Sequence, residues 1–342
     1  MLVFRGLPDR AEVSSVLTIG NFDGVHRGHQ ALLRLLVREA RERAMPATVL
    51  TFEPHPREFF APESAPPRLS RLREKLELMA EAGVDRVYVL RFNEELASLE
   101  AEAFVERILV KSLGTRHLLI GDDFCFGRGR RGNFKLLSEL GETWGFRVEA
   151  MPTLDFEGER VSSSAVREAL IAGDLEHAER LIGRPYIMSG RVIHGDKIGR
   201  TIGFPTANIQ IKRNRAALSG IFTVTVDGVG DRPWPGVASL GVRPTVTNSG
   251  QARLEVYLLV FNGELYGRHV RVHFLHKQRD EQKFASLEAL TDAIRQDCAI
   301  AREILAQHRI PMPAPQGNAG QSQVSLRPLG GPAAAARRPQ GL

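Results

Sequence analysis

Two rhythms of apolar and polar positions divide the chain. From Val16 to about Ile182, short apolar runs alternate with amphipathic stretches. Val16–Gly20, Ala47–Phe52, Val87–Leu90 and His117–Gly121 read as buried strands. Between them His29–Arg43 carries Leu32, Leu33, Leu36 and Ala40 at helical spacing, Leu72–Ala82 ends at Gly83 as a helix closed by glycine does, and Ala101–Leu113 is a third helix. Strands alternating with helices imply an α/β, Rossmann-like parallel sheet with right-handed crossovers. Ligands of such sheets sit beyond the carboxyl ends of the strands, here the loops after Ile19, Phe52 and Ile120.

Near Gly183-Arg-Pro-Tyr186 the rhythm shortens. Tyr186–Ile193, Ile221–Val226, Gly236–Leu240, Arg253–Phe261 and His269–Leu275 read as strands punctuated by turns such as Asp227-Gly228 and Asn262-Gly263. They predict a small antiparallel β-barrel. One helix closes it, with Ser286 as N-cap and Leu287, Leu290, Ile294, Cys298, Ala301 and Leu305 on one face. From Pro311 to Leu342 the chain is rich in Pro, Gly, Ala and Gln without apolar period, so it cannot offset its ordering entropy and is expected to be disordered. The expected units are therefore 1–182, 183–310 and 311–342.

Composition narrows this little: 342 residues, 43% apolar and 25% charged, suit a globular chain of two domains. The net charge of +6 invites a nucleic-acid or membrane-surface reading until the charges are located. Arg327, Arg337 and Arg338 in the acid-free tail supply half of it, and part of the remainder falls at Arg128, Arg130, Arg131 and Arg167, in stretches suited to phosphates. Neither nucleic acid nor a membrane is then needed as a partner. Two cysteines, Cys125 and Cys298, cannot form a disulfide framework, and no signal peptide or bilayer-length apolar run is present. A cytoplasmic location is expected.

The densest chemistry is Thr18-Ile-Gly-Asn-Phe-Asp-Gly-Val-His-Arg-Gly-His29, passing from a strand into a helix. Its glycines allow close backbone approach, a helix start offers free N–H groups to an anion, and His26 and His29 can address the same phosphates. The alternative is a glycine-rich turn with surface histidines. A metalloprotease helix is excluded because the tetrad lacks Glu, and a Walker A loop because no Gly-Lys-Ser/Thr follows. Gly121-Asp-Asp-Phe-Cys-Phe-Gly127 follows another strand, and Val161-Ser-Ser-Ser-Ala-Val-Arg167 offers hydroxyls at a helix start, as N-caps or as phosphate ligands. Farther on, glycines from Gly190 to Gly203 suit a phosphate-wrapping loop, and Thr206 and Asn208, two apart on a strand, suit Mg²⁺ or simply a polar edge. Glu255 interrupts an apolar strand, either turned outward or held for chemistry.

Taken in order, GNFDGVHRGH, FEPHP, GDDFCFG and SSSAVR resemble the adenylyltransferase module of the prokaryotic bifunctional riboflavin kinase/FAD synthetase family. GRTIGFPTAN, SLGVRPT, LEVYLLVFNGELYG and RDEQKF resemble its riboflavin kinase module. The resemblance implies ATP-dependent phosphorylation of riboflavin to FMN, then adenylylation of FMN to FAD with release of pyrophosphate, with ATP, Mg²⁺ and flavins as ligands. It implies that His26, His29 and Arg167 serve adenylyl transfer, with Gly20, Asn21, Phe22, Asp23, Gly24, Ser162, Ser163 and Ser164 around the ATP and Asp123 and Phe124 near the flavin or adenosine. For the kinase it implies Glu255 as base, Thr206 and Asn208 as metal ligands, Gly195, Lys197, Gly199 and Gly203 around ATP, and Arg279 and Glu281 beside flavin or nucleotide. Cys125, the Ser164-Ala165 pair, Val260 and Gln278 depart from the family's usual residues.

Overall fold

A computed structural model describes residues 1–195, 199, 202–213, 215–242 and 252–312. Lys197, and the expectation of a disordered tail from 313 on, lie outside the described residues. The first unit is a six-stranded parallel sheet in the order β1-β4-β3-β2-β5-β6. Its strands are β1 (Leu2–Arg5), β2 (Ser15–Ile19), β3 (Ala47–Glu53), β4 (Arg86–Arg91), β5 (Thr115–Gly121) and β6 (Arg147–Met151). The helices are α1 (Arg27–Glu42), α2 (Pro56–Phe60), α3 (Leu72–Glu81), α4 (Glu94–Ala97), α5 (Ala101–Phe104) and α6 (Phe134–Trp144). α5 runs on π-helically through Val105–Ser112.

Adjacent strand residues point to opposite faces, and two apolar layers result. Val16, Val49 and Leu119 pack with Leu32, Leu33, Leu36 and Met79 of α1 and α3. Leu17, Ile19, Leu118 and Ile120 pack with Phe104, Leu109 and Leu137 on the other side. The sheet is doubly wound, and its order sets the ends of β3, β2 and β5 side by side.

A closed barrel follows, in the order β10-β13-β12-β11-β14-β9. After the short hairpin β7 (Asp155–Phe156) and β8 (Glu159–Arg160) come helices α7 (Ser163–Ala172) and α8 (Leu175–Ile182). The barrel strands are β9 (Tyr186–Ile193), β10 (Thr206–Gln210), β11 (Gly220–Asp227), β12 (Trp234–Val242), β13 (Ala252–Leu258) and β14 (His269–Arg279). Helix α9 (Leu287–Gln307), N-capped by the Ser286 hydroxyl on the Ala289 amide at 3.2 Å, lays Cys298, Ala301 and Leu305 against Ile221, Val237 and Leu259 on the outer wall.

α/β followed by barrel and helix is the expected architecture, with differences in detail. The strand read as Arg253–Phe261 stops at Leu258: Leu259 packs on the outer wall under α9, and Val260 takes a φ of +60°, which no strand permits. α7 and α8 also share their core with the barrel: Val166, Leu170, Leu175, Ala178 and Leu181 join one cluster with Tyr186, Met188, Phe222 and Val272.

Candidate active sites

The chain leaves β2 through Gly20–Val25 and enters α1 at His26. Gly24 has φ +82°, and a Cβ there would lie 2.9 Å from Leu69 Cδ1, so this turn admits only glycine. Its amide donates to Ser70 Oγ at 2.8 Å. Asp23, buried beside it, accepts from the Leu69 amide at 3.1 Å and the Ser70 amide at 2.9 Å, and pairs with Arg167. Burial alone would raise the Asp23 carboxyl, but Arg167 and the Ser70 and Leu69 amides outweigh it and hold the group below its ordinary value.

His26 caps α1, its Nδ1 accepting from the His29 amide at 3.5 Å. The two imidazoles stack with centroids 3.7 Å apart, and Phe22 lies 5.1 Å from the His29 ring. Burial pushes His26 down to about 4, with Arg167 and Arg184 adding to the effect and Asp23 opposing it. His29 is also held well below its ordinary value, by burial first and then by His26 and Lys75. Both rings are neutral at pH 7. Because Nδ1 of His26 accepts, its proton is on Nε2, which leaves an N–H donor. His29 Nδ1 is buried without a partner, as is Asn21 Oδ1.

Arg167 does not face outward. Its guanidinium donates to Pro67 O at 2.8 Å and Ser163 O at 3.0 Å besides Asp23. Ser162 caps α7 on the Ala165 amide at 3.1 Å, Ser163 Oγ donates to the Asp23 carbonyl at 3.0 Å, and Ser164 is exposed. In the loop after β5, Asp123 is exposed and pairs with Arg160 at 2.9 Å, while Phe124 stacks on Phe126.

Several neighbours escaped the sequence reading. Lys75, buried on α3, donates to the Asn21 carbonyl at 2.9 Å, and burial lowers its pKa against the pull of Asp23 and Glu53. In the sequence it is one charge among many on a helix. Phe59 and Phe60 after β3 meet Phe92 edge-on at 5.5 and 5.6 Å, and Phe60 is 67% exposed. Only their aromatic type, within the resemblance after FEPHP, could have flagged them.

On the barrel, β10 pairs antiparallel with β13, and Asn208 stands opposite Glu255. Leu254, Val256 and Leu258 fill the barrel, so Glu255 is turned outward and half-buried between its neighbours. Outward placement and a role in chemistry are thus compatible. Thr206 Oγ1 donates to Glu255 at 3.1 Å. Arg253 lies 2.6 Å from the other Glu255 oxygen and donates to Asn208 Oδ1 at 3.0 Å. Ser239 of β12 faces Glu255 from the other side and donates to Glu281 at 3.0 Å. Neither Ser239 nor Arg253 was foreseen, since only strand register brings them here.

Gly195 lies against the Asn208 side chain so closely that a Cβ would overlap it. Gly199 accepts from the Phe204 amide at 2.7 Å, and Gly203 turns in open space at φ +82°. Arg279 is held by Asp297 of α9 through two bonds of 2.8 and 2.7 Å. The structure therefore gathers Thr206, Asn208, Glu255 and Glu281 on one outer face. Arg279 is committed to the helix beside it.

The FAD synthetase family pattern matches residues 9–165, and the riboflavin kinase family pattern matches residues 182–305. A bifunctional riboflavin kinase/FMN adenylyltransferase of Pseudomonas fluorescens is 54% identical over 291 residues, 85% of this chain and 93% of its own length. The protein of the same description from Escherichia coli K12 is 49% identical over 306 residues, covering 89% and 97%. A solved Streptococcus pneumoniae structure, described as a macrolide-efflux protein, superposes with a TM-score of 0.75 at 29% identity, over 88% of this chain and 99% of that one. Among the described residues no helix is long and apolar enough to cross a membrane. With both halves matched in order and half the residues identical over most of its length, the chain belongs to the bifunctional riboflavin kinase/FMN adenylyltransferase family.

Proposed function

We propose that the histidine loop is the adenylyl-transfer site and the β10–β13 face the phosphoryl-transfer site. As a member of its family the chain makes FMN from riboflavin and FAD from FMN. The observation that carries the first assignment is a pair of stacked, neutral imidazoles at the start of α1, beyond the end of β2 in a doubly wound sheet.

In adenylyl transfer an FMN phosphate oxygen attacks the α-phosphorus of ATP, the bond from that phosphorus to the bridging oxygen breaks, and pyrophosphate leaves. Nε2–H of His26, a ring N–H of His29 and the free amides of α1 are donors for the phosphoryl oxygens on which charge develops. Asp23 and Arg167 hold the loop in shape. Ser164 is placed to meet phosphate from the α7 side, with Ser162 and Ser163 fixing that helix start. Phe59, Phe60 and Phe92, set edge-on to one another, form an aromatic cluster against which the isoalloxazine can pack, with Asp123 and Phe124 at the neighbouring loop.

On the barrel, Thr206 Oγ1, Asn208 Oδ1 and the Glu255 carboxylate are hard oxygen donors, the last two already drawing the Arg253 guanidinium, and they fit Mg²⁺ accompanying ATP. Bound there, the ion neutralises charge on the transferred phosphoryl group. Glu255 accepts the proton of the ribityl 5′-hydroxyl as that oxygen takes the γ-phosphoryl group, and Thr206 orients the carboxylate. Gly195, Gly199 and Gly203 leave room for the nucleotide, and Glu281, fixed by Ser239, borders the flavin. Two thiols without a disulfide, Cys125 and Cys298, agree with a reducing, cytoplasmic setting. The test is to assay the two half-reactions separately in His29→Ala and Glu255→Gln. The first is expected to lose FAD formation, the second FMN formation.

A further inference from the structure

The histidine loop is held from two sides, and one of them is the barrel unit. Two backbone stretches frame the loop: Gly24-Val25, and Arg68–Ser70, whose amides hold Asp23. The carbonyls of both stretches are taken by side chains from beyond Ile182. Arg184 donates to Gly24 O at 2.8 Å and Val25 O at 3.0 Å. Arg213 donates to Arg68 O at 2.9 Å and Leu69 O at 3.1 Å, and the Tyr186 hydroxyl donates to Leu69 O at 3.1 Å.

A buried ion pair locks this contact. The second Arg213 nitrogen donates to Glu74 Oε2 at 2.6 Å, and Arg213 and Glu74 are 5% and 2% exposed. Glu74 Oε1 accepts from the Ser189 amide at 2.7 Å and its hydroxyl at 3.1 Å, and Glu74 Oε2 also accepts from the Arg71 amide at 2.7 Å. A buried carboxylate satisfied in this way has little freedom to move. Arg213 lies three residues beyond Gln210, the last residue of β10, the strand that carries Thr206 and Asn208.

We propose that Arg184 and Arg213 are positioning residues for adenylyl transfer, so that the kinase unit is a structural part of the other unit's active site. The proposal rests on reading the histidine loop as the ATP site. Neither guanidinium points to where substrate would sit. Each acts by fixing carbonyls one or two residues from Asp23, His26 or Ser70. Val25 O also accepts from Gln30 Nε2 at 2.9 Å, and Leu69 O keeps the Tyr186 hydroxyl. Removing the guanidinia therefore costs Gly24 O and Arg68 O their donors, and those two carbonyls must turn to find others, taking the loop with them. A displacement of about 1 Å at reacting groups costs roughly a hundredfold in rate.

The experiment uses the full chain as wild type, Arg184→Ala, Arg184→Lys, Arg213→Met and His29→Ala. Each preparation is assayed for riboflavin phosphorylation and, separately, for adenylylation of supplied FMN, with its thermal midpoint recorded. Arg184→Ala and Arg213→Met are expected to lower kcat for FAD formation about 10- to 100-fold. In Arg184→Ala riboflavin phosphorylation should stay within about twofold of wild type, since among the described residues no hydrogen bond of Arg184 reaches the β10–β13 face. Arg184→Lys, which keeps the charge and N–H donors but not the planar fork that spans both carbonyls, should recover part of the loss. Unchanged FAD formation in both variants, with His29→Ala inactive in that step, overturns the proposal alone. So does a parallel fall of both activities with the thermal midpoint in both variants, which marks a purely structural role. Full FAD formation by His29→Ala overturns the reading of the loop itself, and the proposal with it.

Discussion

At the scale of single residues, the proposed adenylyl-transfer site rests on two histidines kept neutral by burial. His26 titrates at about 4 in the folded chain against an ordinary value of 6.5, so between these pH values the unfolded chain binds more protons. The stability this contributes is full above about pH 6.5 and is lost as the pH falls towards 4. For His26 alone it amounts to roughly 3 kcal/mol. Urea midpoints should therefore fall through this window, and less steeply in His26→Asn, which keeps an N-cap acceptor but cannot titrate. At the proposed kinase site, Glu255→Gln keeps the shape of the side chain but removes the proposed base. FMN formation should drop about 10²–10⁴-fold in a steady-state assay, while FAD formation from supplied FMN persists. His26, His29 and Glu255 were legible because glycine spacing or an apolar run set them apart. Lys75, Ser70, Ser239 and Arg213 were not, because their partners lie 42 to 139 residues away and only folding joins them.

At the scale of elements, the turn from β2 into α1 is a tightly constrained piece of backbone at the histidine loop. Gly24→Ala must adopt φ +82° and push its Cβ into Leu69. We expect a loss of about 1–3 kcal/mol in denaturant titration and a larger relative loss of FAD formation than of FMN formation. The central strands β2, β3, β4 and β5 were readable as apolar runs since both faces of the sheet are covered. Two edge strands were not. β1 is only four residues, Leu2-Val-Phe-Arg5, too short a run to stand out, and β6 mixes Arg147 and Glu149 with Val148, Ala150 and Met151 because no residue of it is fully buried. β14 outran its reading by four residues, because His276, Lys277, Gln278 and Arg279 continue the ladder with β11 on polar side chains.

At the scale of the whole molecule, the division into two catalytic units is visible in the sequence, whereas the way they are joined is not. The boundary near Ile182 marks a change of pattern, yet α7 and α8 belong to the barrel's apolar cluster, and Arg184, Tyr186 and Arg213 reach back to the histidine loop. Periodicity finds elements; it carries no information on which ends of the chain meet across 100 residues or more. The net charge of +6, half of it in the tail, fits anionic substrates without a polynucleotide. Binding to duplex DNA at physiological salt should accordingly be weak and without a specific site in a titration. On the reading proposed above, one chain carries two separate reactions at two separate places. The most direct test follows flavins by chromatography after riboflavin, ATP and Mg²⁺ are added to wild type, His29→Ala and Glu255→Gln. Wild type should pass through FMN to FAD, His29→Ala should stop at FMN, and Glu255→Gln should leave riboflavin but convert added FMN to FAD. Loss of both reactions in either single variant, with the protein still folded, would contradict it.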